Sequence, residues 1–511
     1  VIDARAVAPE VRQGSTRAQG LIRWPRLRQA SLLFLAVALV TACRMRASEP
    51  RPSFVLVCVD TLRVDRLGCH GYRRATSPRI DALAGRGMRF SYCFSTYPQT
   101  AASVASLFTS LHPSAHKKTS SAHTMLTSSV APLAETFREA GYRTAAVATN
   151  PFLSPGLGYE QGFERFYYIS GRKKNKSLFG GVGEYPEVKT EVRESANKVY
   201  GSGDAVNQAA LDWFGPSADP RPFFLYLHYM DAHSPYTSPA PYDEMFVQQP
   251  GRAVSWNGIP KHAVGEADLG YTQDRYDGQI RYIDDLLATL LEALRERGLL
   301  ERTHIVFVSD HGEEFLEHGG LGHGETLFRE MLHVPLFFVG PGIPARVENA
   351  VVSTIDVYPT LCELAGIEPP AHVQGRSLVP LLTAEPGAGE SARPAFAECV
   401  DGRMRSSADA PPRSTVKASG NSCSLVDEEW HLIHRPSDGR TELYRYRSDP
   451  QESEDLSSTH PQEVARLLAQ ARRFLAASVE AGRSVRTSEA QLDEEARRQL
   501  EELGYAGRDD E

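Results

Sequence analysis

The chain has 511 residues, with 33 prolines, 40 glycines, 41% hydrophobic residues and 23% charged ones. That balance excludes a mostly disordered, collagen-like or polytopic membrane protein, and the length supports a substantial core without disulfides. The formal net charge is −8, with +4 contributed by the first 43 residues and −12 by the rest. So acidic a body argues against nucleic acid as a partner.

The basic start has its own pattern. Arg23, Arg26 and Arg28 precede the apolar run 31–40 and then Thr41-Ala42-Cys43. The run is shorter than the roughly 20 residues needed to span a bilayer as a helix; charged, apolar and small residues in that order describe a secretory signal. Val40-Thr41-Ala42-Cys43 also resembles a bacterial lipobox, which makes Cys43 the expected lipidated N-terminus of an extracytoplasmic, membrane-anchored protein. Six cysteines remain, and Cys69/Cys93 or Cys399/Cys423 are pairs that an oxidising compartment could join.

From residue 53 onward, short apolar runs alternate with helical stretches. Strands are predicted at Phe54–Val59, Thr144–Ala148, Phe223–Leu227, His304–Val308 and Pro335–Val339, each apolar on both faces as buried parallel strands are. Helices are predicted at Pro132–Ala140, Asp204–Phe214 and Gln279–Glu296. The alternation argues for a large α/β domain with a doubly wound, mostly parallel sheet. Residues 170–202 and 243–268 read as surface insertions. Near residue 384 the composition changes to Ala, Gly, Ser, Pro and Arg around a short strand, Ala395–Cys399. A hairpin follows, Glu429–His434 with Thr441–Tyr446 around a Ser-Asp-Gly turn, then a charged helical tail from Pro461. A smaller C-terminal antiparallel sheet with a helix is therefore expected.

Ligands of open α/β sheets bind beyond the carboxyl ends of the strands. The residues there are Asp60; Asn150; His228, Asp231 and His233; and Asp310-His311-Gly312-Glu313. A single polar residue at a strand end only marks the approach to water, but four strand ends with Asp, His and Asn mark a site. Asp60, Asp310 and His311 suit one divalent metal, manganese or zinc ahead of calcium, which prefers an all-oxygen shell.

Four blocks then stand in order: Phe54–Tyr72 (FVLVCVDTLRVDRLGCHGY), Val308–Gly319 (VSDHGEEFLEHG), Ser353–Pro380 and Glu442–Leu456. Together they resemble the sulfatase family of the alkaline phosphatase superfamily. The resemblance implies a metal-dependent domain over 53–384, after a signal segment at 1–43 and a linker at 44–52. A small-sheet subdomain at 385–460 and a helical tail at 461–511 complete the organisation. It also implies hydrolysis or transfer at a sulfate or phosphate ester.

The family's nucleophile motif, Cys-x-Pro-Ser-Arg, matches a stretch that begins at Thr100, with Ala102 for Pro, Val104 for Arg and Ser110 for Gly of the later Thr-Gly. Threonine cannot become formylglycine, so the resemblance makes Thr100 both a metal ligand and a metal-activated alkoxide nucleophile; the bland alternative is a helix N-cap. Thr61 stands where the family has a second Asp, Asp310-His311 where it has Asp-Asn, Asn150 in its Lys and His region, and His323 where it has Lys. By the same resemblance His233 and His323 contact the ester and one protonates the leaving group. Asn150, His228 and Asp231 line the substrate, and a second metal on Asp231, His233 and His323 is allowed. Three readings stay open: a phosphate- or sulfate-ester hydrolase or transferase acting on an extracytoplasmic glycan or lipid, a true sulfuric ester hydrolase of surface glycans, and a catalytically silent envelope protein that binds anionic glycans.

Overall fold

A computed structural model describes residues 51–118, 124–170, 188–194, 202–215, 219–254, 264–383, 393–399, 422–437 and 439–489. The signal segment with Cys43, most of 170–202, and 255–263 lie outside these, as do 400–421.

The strands are, in chain order, β1 Ser53–Val59, β2 Met88–Phe94, β3 Arg143–Ala148, β4 Arg165–Ser170, β5 Lys189–Glu194, β6 Phe223–Tyr229, β7 Thr303–Ser309, β8 Glu314–Phe315, β9 Leu321–Gly322, β10 His333–Val339 and β11 Arg346–Ser353. Nine of them form one sheet in the order β11-β2-β10-β7-β1-β6-β3-β4-β5, while β8 and β9 pair separately. All pairings in the large sheet are parallel except those of β10, which runs antiparallel to β7 and β2. The expected strand at Pro335–Val339 is thus present but reversed, because apolarity reports burial on both faces and not direction. The sequence pattern missed β2, β4, β5 and β11. Of these, β5 (KTEVRE) is an edge strand whose charged residues discourage further pairing.

Alternation along β1 divides the core. Phe54, Leu56 and Cys58 enter the cluster on one face of the sheet, and Val55, Val57 and Val59 enter that on the other. Each large aliphatic side chain so buried contributes on the order of 1.5–3 kcal/mol. The long helix Glu266–Glu296 covers the second face with Tyr276, Ile280, Ile283, Leu287, Leu290 and Leu294. It begins inside the stretch read as an insertion, since its first turns are acidic and polar and carry little apolar period.

The C-terminal strands are β12 Ala395–Cys399, β13 Ser422–Val426, β14 His431–Arg435 and β15 Arg440–Tyr444, antiparallel throughout. One face packs Ala395, Ala397, Cys399 and Ile433 against Phe94, Tyr97 and Phe328; the other packs Phe396, Cys423, Leu425 and Leu432 against Leu467 and Ala471 of helix Pro461–Ala481. Cys399 and Cys423 therefore point to opposite faces, which rules out their pairing, and Cys69 and Cys93 are free thiols. Among the described residues no helix is long and apolar enough to cross a membrane.

Candidate active site

Parallel strands bring their carboxyl ends to one edge, and the site is built there. Asp60 follows β1, Asn150 follows β3, His233 follows β6 and Asp310-His311 follows β7. His228, expected beyond its strand, lies within β6 opposite Cys58. Its Nε2 still reaches Asp60 Oδ2 at 3.1 Å, while Tyr226 Oη lies 2.8 Å from its Nδ1. Thr100 opens the helix Thr100–Thr109 behind the N-cap residue Gln99. The Thr100 side chain does not cap that helix. Its Oγ1 sits 3.4 Å from both Asp60 carboxylate oxygens, 3.2 Å from His311 Nε2 and 3.3 Å from Asn150 Nδ2.

His311 Nδ1 lies 2.9 Å from the Gly312 carbonyl, which fixes the ring proton there and leaves the Nε2 lone pair for the cluster. Nε2 is 3.6 Å from Asp60 Oδ1 and 3.5 Å from Asp310 Oδ2. Asp310 Oδ1 accepts the backbone N–H groups of Thr61 and His311, but its Oδ2 is buried without a hydrogen-bond partner. The donors of Asp60, Asp310 and His311 all lie within 4.8 Å of one another. Four donors about 2.1 Å from a tetrahedral ion stand about 3.4 Å apart. The orphaned Oδ2 and this spacing fit a single divalent metal.

Electrostatics agree. Burial pushes the Asp60 carboxyl up, but the hydrogen bond from His228 and the charges of His233, His228 and His311 outweigh it and hold Asp60 well below the ordinary range. Burial and the Asp60 charge push Asp310 well up. Two carboxylates this close do not both ionise unless a cation sits between them. Burial lowers the basicity of His311, of His233 (to about 4) and of His323 (well below its ordinary value).

His323 packs its ring 4.6 Å from His311 and 4.9 Å from His233. The structure therefore gathers Asp60, Thr100, Asn150, His228, His233, Asp310, His311 and His323. Asp231 goes elsewhere: its Oδ1 accepts the Gly203 N–H at the start of helix Gly203–Phe214, and Tyr229, Asp204 and Tyr282 surround it. Burial raises it to about 7. A second metal centre on Asp231 with His233 and His323 does not form among the described residues.

Sequence reasoning placed Glu313 among the strand-end residues without a role of its own, and did not single out Tyr236 or Tyr276. The β8/β9 pair, with Glu314 opposite Gly322, sets residue 313 beside 323, and Glu313 Oε1 lies 3.0 Å from His323 Nδ1. Its pairing with a histidine ten positions on carries no sequence signal without that hairpin. Tyr276 Oη donates to Thr61 O at 2.8 Å and accepts from Arg63 N at 2.9 Å, clamping the turn after Asp60 where Thr61 adopts φ 56°.

A family profile described as Sulfatase matches residues 52–367. The chain belongs to the sulfatase family. This sulfatase-family chain is 23% identical over 363 residues to "Uncharacterized sulfatase YidJ" of Escherichia coli (strain K12), covering 64% of this chain and 71% of that protein. Its fold matches a phosphonate monoester hydrolase of Agrobacterium radiobacter with a TM-score of 0.64 at 22% identity, covering 84% and 96% of the two chains. A 2-O GAG sulfatase matches with a TM-score of 0.64 at 19% identity, over 87% and 96%. The mixed sheet, flanking helices and small C-terminal sheet are those of the alkaline-phosphatase-like fold, and the sulfatase-family chain carries at its sheet edge a candidate metal and hydrolytic site.

Proposed function

We propose that this chain is a metal-dependent hydrolase or transferase of phosphate or sulfate esters on an extracytoplasmic glycan or lipid, with Thr100 as the nucleophile. The observation that carries the reading is the direction of Thr100 Oγ1, aimed at Asp60, His311 and Asn150 instead of at its own helix. Asp60, Asp310, His311 and Thr100 would hold a divalent ion, manganese or zinc ahead of calcium, which would lower the pKa of the hydroxyl and withdraw charge from a non-bridging ester oxygen. Asn150 and His228 hold Asp60 in place. The N-terminal end of helix Thr100–Thr109 faces the anionic group favourably. His233 and His323 flank it; an anion against them raises their basicity, so one can carry the proton to the leaving oxygen. Phosphoesters are favoured over sulfate, because a threonine sulfate lacks the hemiacetal route by which formylglycine sheds its sulfate.

The residues 23–43, basic then apolar then Ala-Cys, support export and lipidation at Cys43. A second reading, a silent binding protein, draws on burial: Asp60, Thr100, Asn150, His228, His233 and His311 are all 0% exposed, so an ester enters only if their surroundings open.

The test is turnover of nitrophenyl sulfate, nitrophenyl phosphate and bis-nitrophenyl phosphate with manganese, zinc or calcium, beside Thr100→Ala. Phosphoester turnover lost in Thr100→Ala is the expected result. Sulfate turnover alone would reverse the substrate preference. No turnover together with no bound metal would leave the silent reading in its place.

A further inference from the structure

Most polar side chains around Thr100 are committed to one another. Asn150 bonds Asp60 and Thr100, His228 lies against Asp60 and Tyr226, and the Ser103 hydroxyl donates to Gln99 O at 2.8 Å. Gln99 is the exception. It stands at the N-cap of helix Thr100–Thr109 in extended conformation, but its side chain does not cap the helix. It is 8% exposed, and its carboxamide makes no hydrogen bond among the described residues. Unlike the sealed Asp310 Oδ2, its amide nitrogen and oxygen are among the atoms that still meet solvent. Gly324 gives the direction: Gln99 Cδ lies 3.9 Å from the place a Cβ would take there, and the φ of 88° at Gly324 favours a residue without one. Gly324 follows His323, whose ring packs on His311 and His233. The amide therefore spans the gap between the start of the Thr100 helix and the His323 segment, at a place that solvent reaches.

A carboxamide nine-tenths buried carries two donors and an acceptor that need partners. An anionic ester oxygen satisfies only the donors and repels the acceptor Oε1. A guanidinium or ammonium is the group suited to it, and the family's Arg position is Val104, packed in the core. A hydroxyl satisfies both, giving its proton to Oε1 and accepting from Nε2. We propose that Gln99 is a specificity residue that reads a free hydroxyl on the alcohol half of the ester, so that the site takes esters of polyols, whether sugar or glycerol, ahead of esters of simple alcohols. The inference rests on the ester site proposed above and narrows its substrate. A site built to hydrogen-bond a hydroxyl discriminates against the analogue lacking it, because the amide is then left unpaired as the bound ester excludes water.

The experiment is ¹H–¹⁵N correlation on the full chain labelled with ¹⁵N-glutamine and loaded with zinc. Thr100→Ala is present so that the probes persist, and the Gln99 side-chain pair is assigned from its loss in Gln99→Leu, or in Gln99→Glu should the first variant not fold. Glycerol 1-phosphate and glucose 1-phosphate are titrated beside propyl phosphate, which lacks the hydroxyls. The expected result is a shift of the Gln99 pair with a polyol phosphate and none with propyl phosphate; the stronger of the two polyols tells glycerol from sugar. A pair moved equally by propyl phosphate, or moved by none of the three, overturns the proposal. In turnover with Thr100 intact, the nitrophenyl phosphodiester of glycerol should exceed that of propanol in kcat/KM, and Gln99→Leu should cut that preference by about tenfold. A preference unchanged in Gln99→Leu overturns the proposal and leaves the hydrolase reading standing. A polyol-specific shift in a chain that turns over no ester would overturn the hydrolase reading and still establish the hydroxyl contact.

Discussion

Asn150 Nδ2 lies 2.6 Å from Asp60 Oδ2, and the amide is held in that sense because its Oδ1 accepts the Phe152 N–H at 2.9 Å. With His228 Nε2 on the same oxygen, Oδ2 is saturated and Oδ1 is the atom left facing His311 and Asp310. Asn150 thus leaves Oδ1 as the oxygen of Asp60 open to the proposed metal. Asn150→Leu should weaken manganese or zinc binding by 10- to 100-fold, the usual cost of losing a group that orients a ligand. Calorimetric titration of the full chain reads this directly, and an unchanged affinity would remove Asn150 from that role.

Metal should stabilise the fold through Asp310. An ion present at about 100 times its Kd adds about 2.7 kcal/mol of stability, so chelation should lower the Tm. Asp310→Asn should lose the metal-dependent rise altogether. Without metal the same variant should be neutral or slightly more stable, since it removes a carboxyl that burial and Asp60 disfavour in its charged form. Scanning calorimetry with and without chelator separates the two effects.

Glu398 gives a pH dependence remote from the site. It is 0% exposed on β12, and its carboxylate accepts from Ser114, through the backbone N–H and the hydroxyl. Burial raises the carboxyl from 4.5 to about 7, against the lowering effect of those bonds. A folded-state pKa above the unfolded one means stability is fully present below about 4.5 and is lost as pH rises through about 7. The loss is on the order of 3 kcal/mol. Glu398→Gln should flatten the fall in Tm between pH 5 and pH 8; equal slopes in the two proteins would show that Glu398 does not titrate there.

Tyr276→Phe removes a hydroxyl that bonds both Thr61 O and Arg63 N. Each buried backbone group left unpaired costs about 1–3 kcal/mol, and Thr61 also relies on the clamp to keep its left-handed φ of 56°. The variant should lose about 2–4 kcal/mol in urea denaturation and bind metal more weakly, because Thr61 N is one of the two donors to Asp310 Oδ1. Stability lost without any change in metal affinity would confine Tyr276 to packing.

Much of this protein was legible in its sequence. Apolar runs bounded by polar residues located β1, β3, β6, β7 and β10, because a strand buried on both faces has no alternative to continuous apolarity. Asp60, Asn150, His311 and Asp310 were legible for the same reason: a parallel sheet must deliver the residues after its strands to one edge. The reversed direction of β10 was not legible, nor was β5, whose KTEVRE pattern resembles any exposed segment.

The sequence by itself determined the chemistry available, namely two acids, a threonine in place of a modifiable cysteine, and a set of histidines after the strands. Only the tertiary structure decided how each is used. It turned Thr100 away from its helix and toward Asp60, and it turned Asp231 away from the histidines to the start of helix Gly203–Phe214. It also paired Glu313 with His323 across a two-stranded hairpin. The physical reason is range. Side-chain identity and periodicity are local properties, but the direction of a buried side chain is set by partners that are tens to hundreds of residues away and meet only once the sheet has formed.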